Sequence, residues 1–350
     1  MRVLSLFDWI ACWYEALLGA WIHIDKYYAS EIDKYAIQVA TKNHPDIIEV
    51  WDVTQLKGED FKDIDLIIGG SPCQWFSMAG KMLNFNDPRS KLFFEFVRLV
   101  GEIKPKYFLL ENVKMKKEFQ EVITEYLWVE PIEINSALVS AQNRKRLYWT
   151  NIEWIKQPED KGILLKDILE SEVDEKYNLT SKQADIIYNF KQIDLPCATQ
   201  IGNSKNFWNS YESQKAYTLR ACNPNWVILD AKKKPLVSMI DGELRIRQAT
   251  KQWYIVANEW DGISLAYPNS TTRRGRVQRW KSNTLVCWWD SYVWDKVIRK
   301  LTPVECERLQ TLPDNYTEWA SDSQRYKMLW NWWTVDVIAH IFSFIPKQNG

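Results

Sequence analysis

At 350 residues, 46% of them apolar and 26% charged, the chain is long enough for one large and one small lobe and reads as a globular, soluble protein. Lys plus Arg balances Asp plus Glu at 45 each; a neutral total neither supports nor excludes nucleic acid, because a binding cleft needs local rather than net charge. Cys12, Cys73, Cys197, Cys222, Cys287 and Cys306 are scattered without a C-x-x-C pair, which argues against a disulfide framework or a zinc site. No metal is therefore expected, and the thiols read as free in a reducing cytosol. No apolar run of about 18 residues could span a membrane, and the one after Met1 is too short for a signal peptide.

Residues 3–7 are predicted as a buried strand and 11–18 as the helix after it. A second helical stretch runs from Glu31 through Ala40. Short strands follow at 66–68, ending at Gly69-Gly70, and at 106–110, ending at Glu111-Asn112. Strands alternating with helices predict βαβ units and a doubly wound, mostly parallel α/β sheet. Ligands in such sheets bind beyond the carboxyl ends of the strands, where Asp8, Glu31, Asp52, Ser71 to Gln74 and Glu111 fall. From about 170 to 300 the periodicity weakens, Asn and Ser cluster, and a basic run spans Thr271 to Arg279. This shift predicts a smaller, loop-rich lobe. Regularity returns at Leu301-Thr302-Pro303, with a short helix through Leu309 and an apolar one over 335–342. The expected division is 1–170 with 300–350 in one lobe and 171–299 in the other.

The segment Gly69-Gly70-Ser71-Pro72-Cys73-Gln74 carries the sharpest signal. A lone cysteine is more often a buried structural residue than a nucleophile. This one stands just past a strand end, after a proline that fixes the backbone, and so is displayed in a cleft. A second strand end supplies Glu111, and Gln142-Asn143-Arg144-Lys145-Arg146 places two arginines on one face if that stretch is extended. Cys73, Glu111, Arg144 and Arg146 together suit covalent attack on an electron-poor ring with a general acid nearby.

Over nearly its whole length, and with its motifs in the same order, the chain resembles the cytosine-C5 DNA methyltransferases. Phe7-Asp8 resembles the opening of the first cofactor motif, Glu31-Ile32-Asp33 the acidic ribose contact, and Asp52-Val53 the pair that reads adenine. Pro72-Cys73-Gln74 is similar to the nucleophile motif, Glu111-Asn112-Val113 to the acid motif, and Gln142 to Arg146 to the Q-x-R-x-R motif. Arg299 to Pro303, with Glu305, Glu307 to Gln310 and Pro313, resembles the segment after the recognition domain, and Asn331 with Thr334-Val335 the final cofactor motif. The resemblance implies S-adenosylmethionine as cofactor, double-stranded DNA as partner and the methyltransferase version of the α/β fold. Cys73 would attack C6 of a flipped-out cytosine, Glu111 would act at N3, and Arg144 and Arg146 would hold the base. It further implies a cytoplasmic monomer, with any cognate restriction endonuclease a separate protein. The stretch from Trp75 to Arg89, with Gln74, Ser77, Lys81 and Arg89, resembles the loop that closes over DNA. Arg273, Arg274, Arg276 and Arg279 are expected to meet phosphates, a solvated loop being the plainer alternative.

One departure is systematic. Trp9 and Trp13 occupy the glycine-like positions of the first motif, Trp51 precedes Asp52, Trp75 follows Gln74, and Trp330 precedes Asn331. The chain has 20 Trp and 12 Gly, whereas ordinary usage would give roughly 25 glycines. Glycine at these motif positions permits backbone angles and close approaches that an indole disfavours. A single cause accounts for all the changes: UGA, which one alternative genetic code reads as tryptophan, is read as glycine in some bacterial lineages. Trp149 and Trp333 fall where the family tolerates aromatics and read as true tryptophans.

An RNA cytosine-C5 methyltransferase would share the site, although the length of the recognition lobe favours DNA. A non-catalytic DNA-binding homologue is favoured by literal Trp9 and Trp13 and opposed by Cys73, Glu111 and Arg144. The lack of G-x-G-x-x-G after the first strand opposes a nucleotide-binding oxidoreductase.

Overall fold

The computed structural model describes residues 1–70, 88–179, 190–192, 226–229, 235–240, 242–250, 252–265, 270, 275–284, 291–295, 297–331 and 333–346. The chain divides into two compact units, one of residues 1–140, 144–162 and 307–350, the other of 141–143 and 163–306.

The first unit is built on β1 (Arg2–Leu6), β2 (Lys26–Ser30), β3 (Ile48–Glu49), β4 (Leu66–Gly69), β5 (Tyr107–Val113), β6 (Ile132–Asn135) and β7 (Lys145–Thr150). They form one sheet in the order β3-β2-β1-β4-β5-β7-β6. The strands from β3 to β5 run parallel, and β7 is antiparallel to both its neighbours. Val3, Leu4, Leu6, Ile67 and Ile68 are fully buried, the mark of central parallel strands covered on both faces.

Among the described residues the helices are α1 (Cys12–Gly19), α2 (Lys34–Asn43), α3 (Pro88–Ile103), α4 (Lys117–Leu127), α5 (Leu165–Ile168), α6 (Pro303–Leu309), α7 (Asp322–Asn331) and α8 (Val335–Phe342). From α3, Phe93, Phe96 and Leu99 enter one core with Leu4, Leu6, Ile67, Leu110 and Trp149. Helix α1 packs on α8, where a Cβ added to Gly19 would touch the Ala339 Cβ at 3.4 Å. The chain leaves β1 for β2 on one side and returns to β4 on the other, so the order reverses at β1. A crevice beyond the strand ends is expected there.

Strand β5 runs further than its apolar stretch suggested. It continues through Glu111, Asn112 and Val113, which pair with Tyr148, Leu147 and Arg146 of β7. Glu111 therefore projects from a strand rather than a loop, held by an antiparallel partner far along the chain.

In the second unit β8 (Phe190–Gln192), β9 (Trp226–Leu229), β10 (Pro235–Ile240), β11 (Glu243–Arg247) and β12 (Tyr254–Ala257) form an antiparallel sheet. A second antiparallel sheet joins β13 (Gly262–Ser264), β14 (Arg276–Gln278), β15 (Ser291–Asp295) and β16 (Val297–Lys300), in the order β14-β13-β15-β16. Leu236, Val237, Met239, Leu244, Ile246, Ile263, Tyr292 and Ile298 share its core. The stretch that read as loop-rich thus contains two sheets. Its strands are short, from 3 residues in β8 to 6 in β10, and β11 alternates inward and outward residues, so no long apolar run stands out. No helix of the described residues is long and apolar enough to cross a membrane.

Candidate active site

Beyond β1, Phe7 and Trp9 take left-handed backbone, with φ of 59° and 58°. The Trp9 amide donates to Oε2 of Glu31 at 2.9 Å, and the amides of Ile32 and Asp33 donate to Oε1 at 2.7 and 2.8 Å. Glu31 thereby ties the loop after β1 to the end of β2. Asp8 is buried, and its Oδ1 accepts from the Tyr27 hydroxyl at 2.5 Å. Glu49 closes β3 and adds a third carboxylate. Burial, reinforced by repulsion among the three, pushes the Asp8 carboxyl up to about 6 and that of Glu49 up to about 7. Burial also raises Glu31, against the three amides that favour its charged form.

Among the described residues no lysine or arginine pairs with Asp8, Glu31 or Glu49. Strand ends this acidic suit a cationic ligand group. The sequence pointed to Asp8 and Glu31 but not Glu49, because β3 is only 2 residues long and leaves no pattern. The available signal was positional: Glu49 ends β3, much as Glu31 stands just past the end of β2. Asp52 is exposed and its Oδ1 accepts from the Thr54 amide at 2.9 Å, capping the short turn that buries Val53. Ile32 is exposed.

The second group of side chains lies at β5 and β7. Glu111 is buried, with Arg146 Nε 3.0 Å from its Oε1. Burial raises its carboxyl, while Arg146, Arg144 and a hydrogen bond from Trp333 hold it down. Arg144 is also buried; its amide donates to Asn135 Oδ1 at 3.0 Å. The Trp333 ring presses on Gly70, where an added Cβ would meet it at 1.9 Å. Trp333 therefore links the end of β4 to Glu111. Thr334 is buried, its hydroxyl donating to Ser136 Oγ at 2.7 Å, and Asn331 is exposed at the end of α7.

Pro72, Cys73, Gln74, Ser77 and Lys81 lie outside the described residues, as do Arg273 and Arg274, and Arg89 is described only as backbone in the first turn of α3. Arg276 is exposed on β14. Arg279 differs: its guanidinium pairs with fully buried Asp261 and donates to the Val256 carbonyl at 3.0 Å. It is thus engaged within its own unit. Among the described residues no cluster of His, Cys, Asp or Glu is arranged to hold a metal ion.

A mostly parallel sheet whose order reverses at β1, with carboxylates at its strand ends and an acid–arginine pair on β5 and β7, suits an α/β enzyme of the methyltransferase kind. Residues 1–347 match the C-5 cytosine-specific DNA methylase family. The chain is 28% identical to the orphan methyltransferase M.SPRI of Bacillus phage SPR, aligned over 100% of this chain and 99% of that protein. It is 29% identical to the type II methyltransferase M.NlaX of Neisseria lactamica, over 90% and 86%. In fold it is similar to the methyltransferase EhMeth of Entamoeba histolytica, with a TM-score of 0.60 over 98% of this chain and 97% of that one at 16% identity. The chain belongs to the C-5 cytosine-specific DNA methylase family and is a DNA cytosine-5 methyltransferase.

Proposed function

We propose that the chain transfers the methyl group of S-adenosylmethionine to C5 of a cytosine flipped out of double-stranded DNA, through a covalent adduct of Cys73 at C6. The observation that carries this reading is Glu111, buried, raised by that burial and 3.0 Å from Arg146. A carboxyl in that state can donate to N3 of the base and offset the charge that builds on the ring.

The Cys73 thiolate adds to C6, Glu111 gives N3 a proton or hydrogen bond, and C5 becomes an enamine-like carbon nucleophile. Bound S-adenosylmethionine supplies an electrophilic methyl group on a sulfonium. A base then removes the C5 proton, the C5–C6 double bond re-forms, and Cys73 departs as thiolate. Arg144 and Arg146 hold the base carbonyl and the nearby backbone and favour the thiolate. Base stacking closes C6 to attack, so the base must leave the helix first.

On the cofactor side, Glu31 and Ile32 take the ribose and Asp52 and Val53 the adenine. Phe7, Asp8, Pro72, Asn331 and Thr334 complete that site. The acidic strand ends fit a cofactor that carries a sulfonium. The unit of residues 141–143 and 163–306 reads the target, and Gln74, Ser77, Lys81, Arg89, Arg273, Arg274 and Arg276 meet DNA. The protein acts as a cytoplasmic monomer, and any cognate restriction endonuclease is a separate chain.

A mixed-sequence duplex substituted with 5-fluorocytosine tests the reaction, because fluorine at C5 blocks the last proton removal. With S-adenosylmethionine the protein should form a complex stable to denaturant, and Cys73→Ser should form none while still binding DNA. A stable complex with Cys73→Ser would take the nucleophile's role from Cys73.

A further inference from the structure

Of the twelve non-glycine residues at positive φ among the described residues, seven are tryptophan: Trp9, Trp21, Trp51, Trp128, Trp154, Trp260 and Trp280. Only a few per cent of non-glycine residues adopt such angles, so the 20 tryptophans should supply about one. Three of the settings are glycine positions in their own right. After α1 the Trp21 amide donates to the Leu18 carbonyl and the Ile22 amide to that of Leu17, the paired bonds of a Schellman ending with Trp21 at its left-handed residue. Trp128 ends α4 in left-handed backbone, its amide donating to the Thr124 carbonyl at 2.7 Å. Between β12 and β13 the Asp261 amide donates to the Asn258 carbonyl, which closes a turn with Trp260 at its third position, where positive φ calls for glycine.

Trp9 Nε1 donates to the Met328 carbonyl at 3.0 Å, but three of these indoles lie almost wholly in solvent. Trp21, Trp128 and Trp154 are 86%, 90% and 84% exposed. Trp149 shows what a used tryptophan looks like here: fully buried, with Nε1 donating to Thr124 Oγ1 at 3.1 Å. Trp13 has ordinary helical backbone but is crowded, its ring centroid 4.0 Å from that of Trp333, inside the roughly 4.5–7 Å of ordinary aromatic pairs.

We propose that the active protein carries glycine at positions 9, 13, 21, 51, 128, 154, 260 and 280, from UGA codons its host reads as glycine, and tryptophan at 149. Glycine relieves the left-handed backbone at seven sites and removes two indoles from the first loop and helix of the cofactor side. Trp21, Trp128 and Trp154 lie outside every motif and every proposed site residue, so testing them is independent of methyl transfer. Peptide mass spectrometry of the protein isolated from its native host should find glycine at 21, 128 and 154 and tryptophan at 149; tryptophan at any of the first three overturns the proposal. The chain carrying Trp21→Gly, Trp128→Gly and Trp154→Gly together should melt at least about 2 °C above the chain with tryptophan there. An equal or lower midpoint also overturns it.

Discussion

Arg146 Nε stands 3.0 Å from Glu111 Oε1 across the β5–β7 pair, in which Glu111 is opposite Tyr148 and Arg146 opposite Val113. The two side chains are diagonal neighbours, two residues off register, and so project from the same face of the sheet. Burial pushes the Glu111 carboxyl up and Arg146 restrains it. Removing that cation as Arg146→Gln should therefore raise the Glu111 carboxyl further. The alkaline limb of the single-turnover pH profile, where protonated Glu111 is lost, should move to higher pH. An unmoved limb alongside a lowered rate would leave Arg146 a base contact with no hold on Glu111.

Glu111→Gln keeps the shape of the side chain and a hydrogen-bond donor but cannot release a proton. The methyl-transfer step should slow by about 10²-fold or more, the range a general acid supplies, with DNA affinity little changed. Rapid-quench single-turnover rates would read this directly. A rate equal to that of the unaltered protein would send the acid's role elsewhere.

How much was legible depended on burial. Residues of β1 and β4 are buried on both faces and read as continuous apolar runs, and α8 likewise announced itself. In the second unit Leu244 and Ile246 point inward while Arg245 and Arg247 are only partly covered, so β11 looked polar. A better signal was present: Asp-Gly at 241–242 in the sequence is a two-residue hairpin signature, and Gly242, at φ 81°, precedes Glu243, which pairs with Ile240. Charged residues between 299 and 307 were legible as a family segment but not in their task. Both Glu305 oxygens accept from Arg299 at 2.8 Å, in a pair that is almost wholly buried. Glu307 accepts from the amides of Asn315 and Thr317. Glu305 also accepts from the Thr302 amide at 2.8 Å, so both glutamates hold backbone, which sequence spacing cannot reveal.

The basic run splits by the same reasoning. Arg279→Ala would take the cation from the buried Asp261 carboxylate and leave it only the amides of Asn258 and Trp280, costing about 1–3 kcal/mol of stability. Arg276→Ala should leave stability alone and flatten the salt dependence of DNA binding by about one unit of slope, the change expected when one phosphate is no longer neutralised. Urea titrations and binding isotherms at several salt concentrations separate the two. Equal stability losses in both variants would contradict this division.

Stability should also depend on pH through the carboxylates at the strand ends. Asp8 rises from 3.8 to about 6 and Glu49 from 4.5 to about 7. For groups raised in the folded state, the stabilisation is present below the unfolded values and is lost as pH climbs through the folded ones. The unliganded protein should therefore resist urea better near pH 5 than near pH 7.5, and Asp8→Asn should flatten much of that difference. A midpoint that climbs steadily over the same window would contradict the buried placement of these groups.

Cofactor binding should run the opposite way. Once ionised, Asp8, Glu31 and Glu49 form a concentration of negative charge for which no lysine or arginine among the described residues serves as partner. S-adenosylmethionine carries a sulfonium, whereas its demethylated product has a neutral thioether and is otherwise the same molecule. If the carboxylates face that sulfur, affinity for S-adenosylmethionine should rise several-fold from about pH 5.5 to 7.5, as Asp8 and Glu49 lose their protons. The product should show a smaller rise, because only its ammonium senses the added charge. Calorimetric titration of both ligands at the two pH values gives four affinities and one decisive ratio. Identical pH dependence for the two would mean that the acidic strand ends do not address the sulfonium, and their raised carboxyls would then be a matter of folding alone.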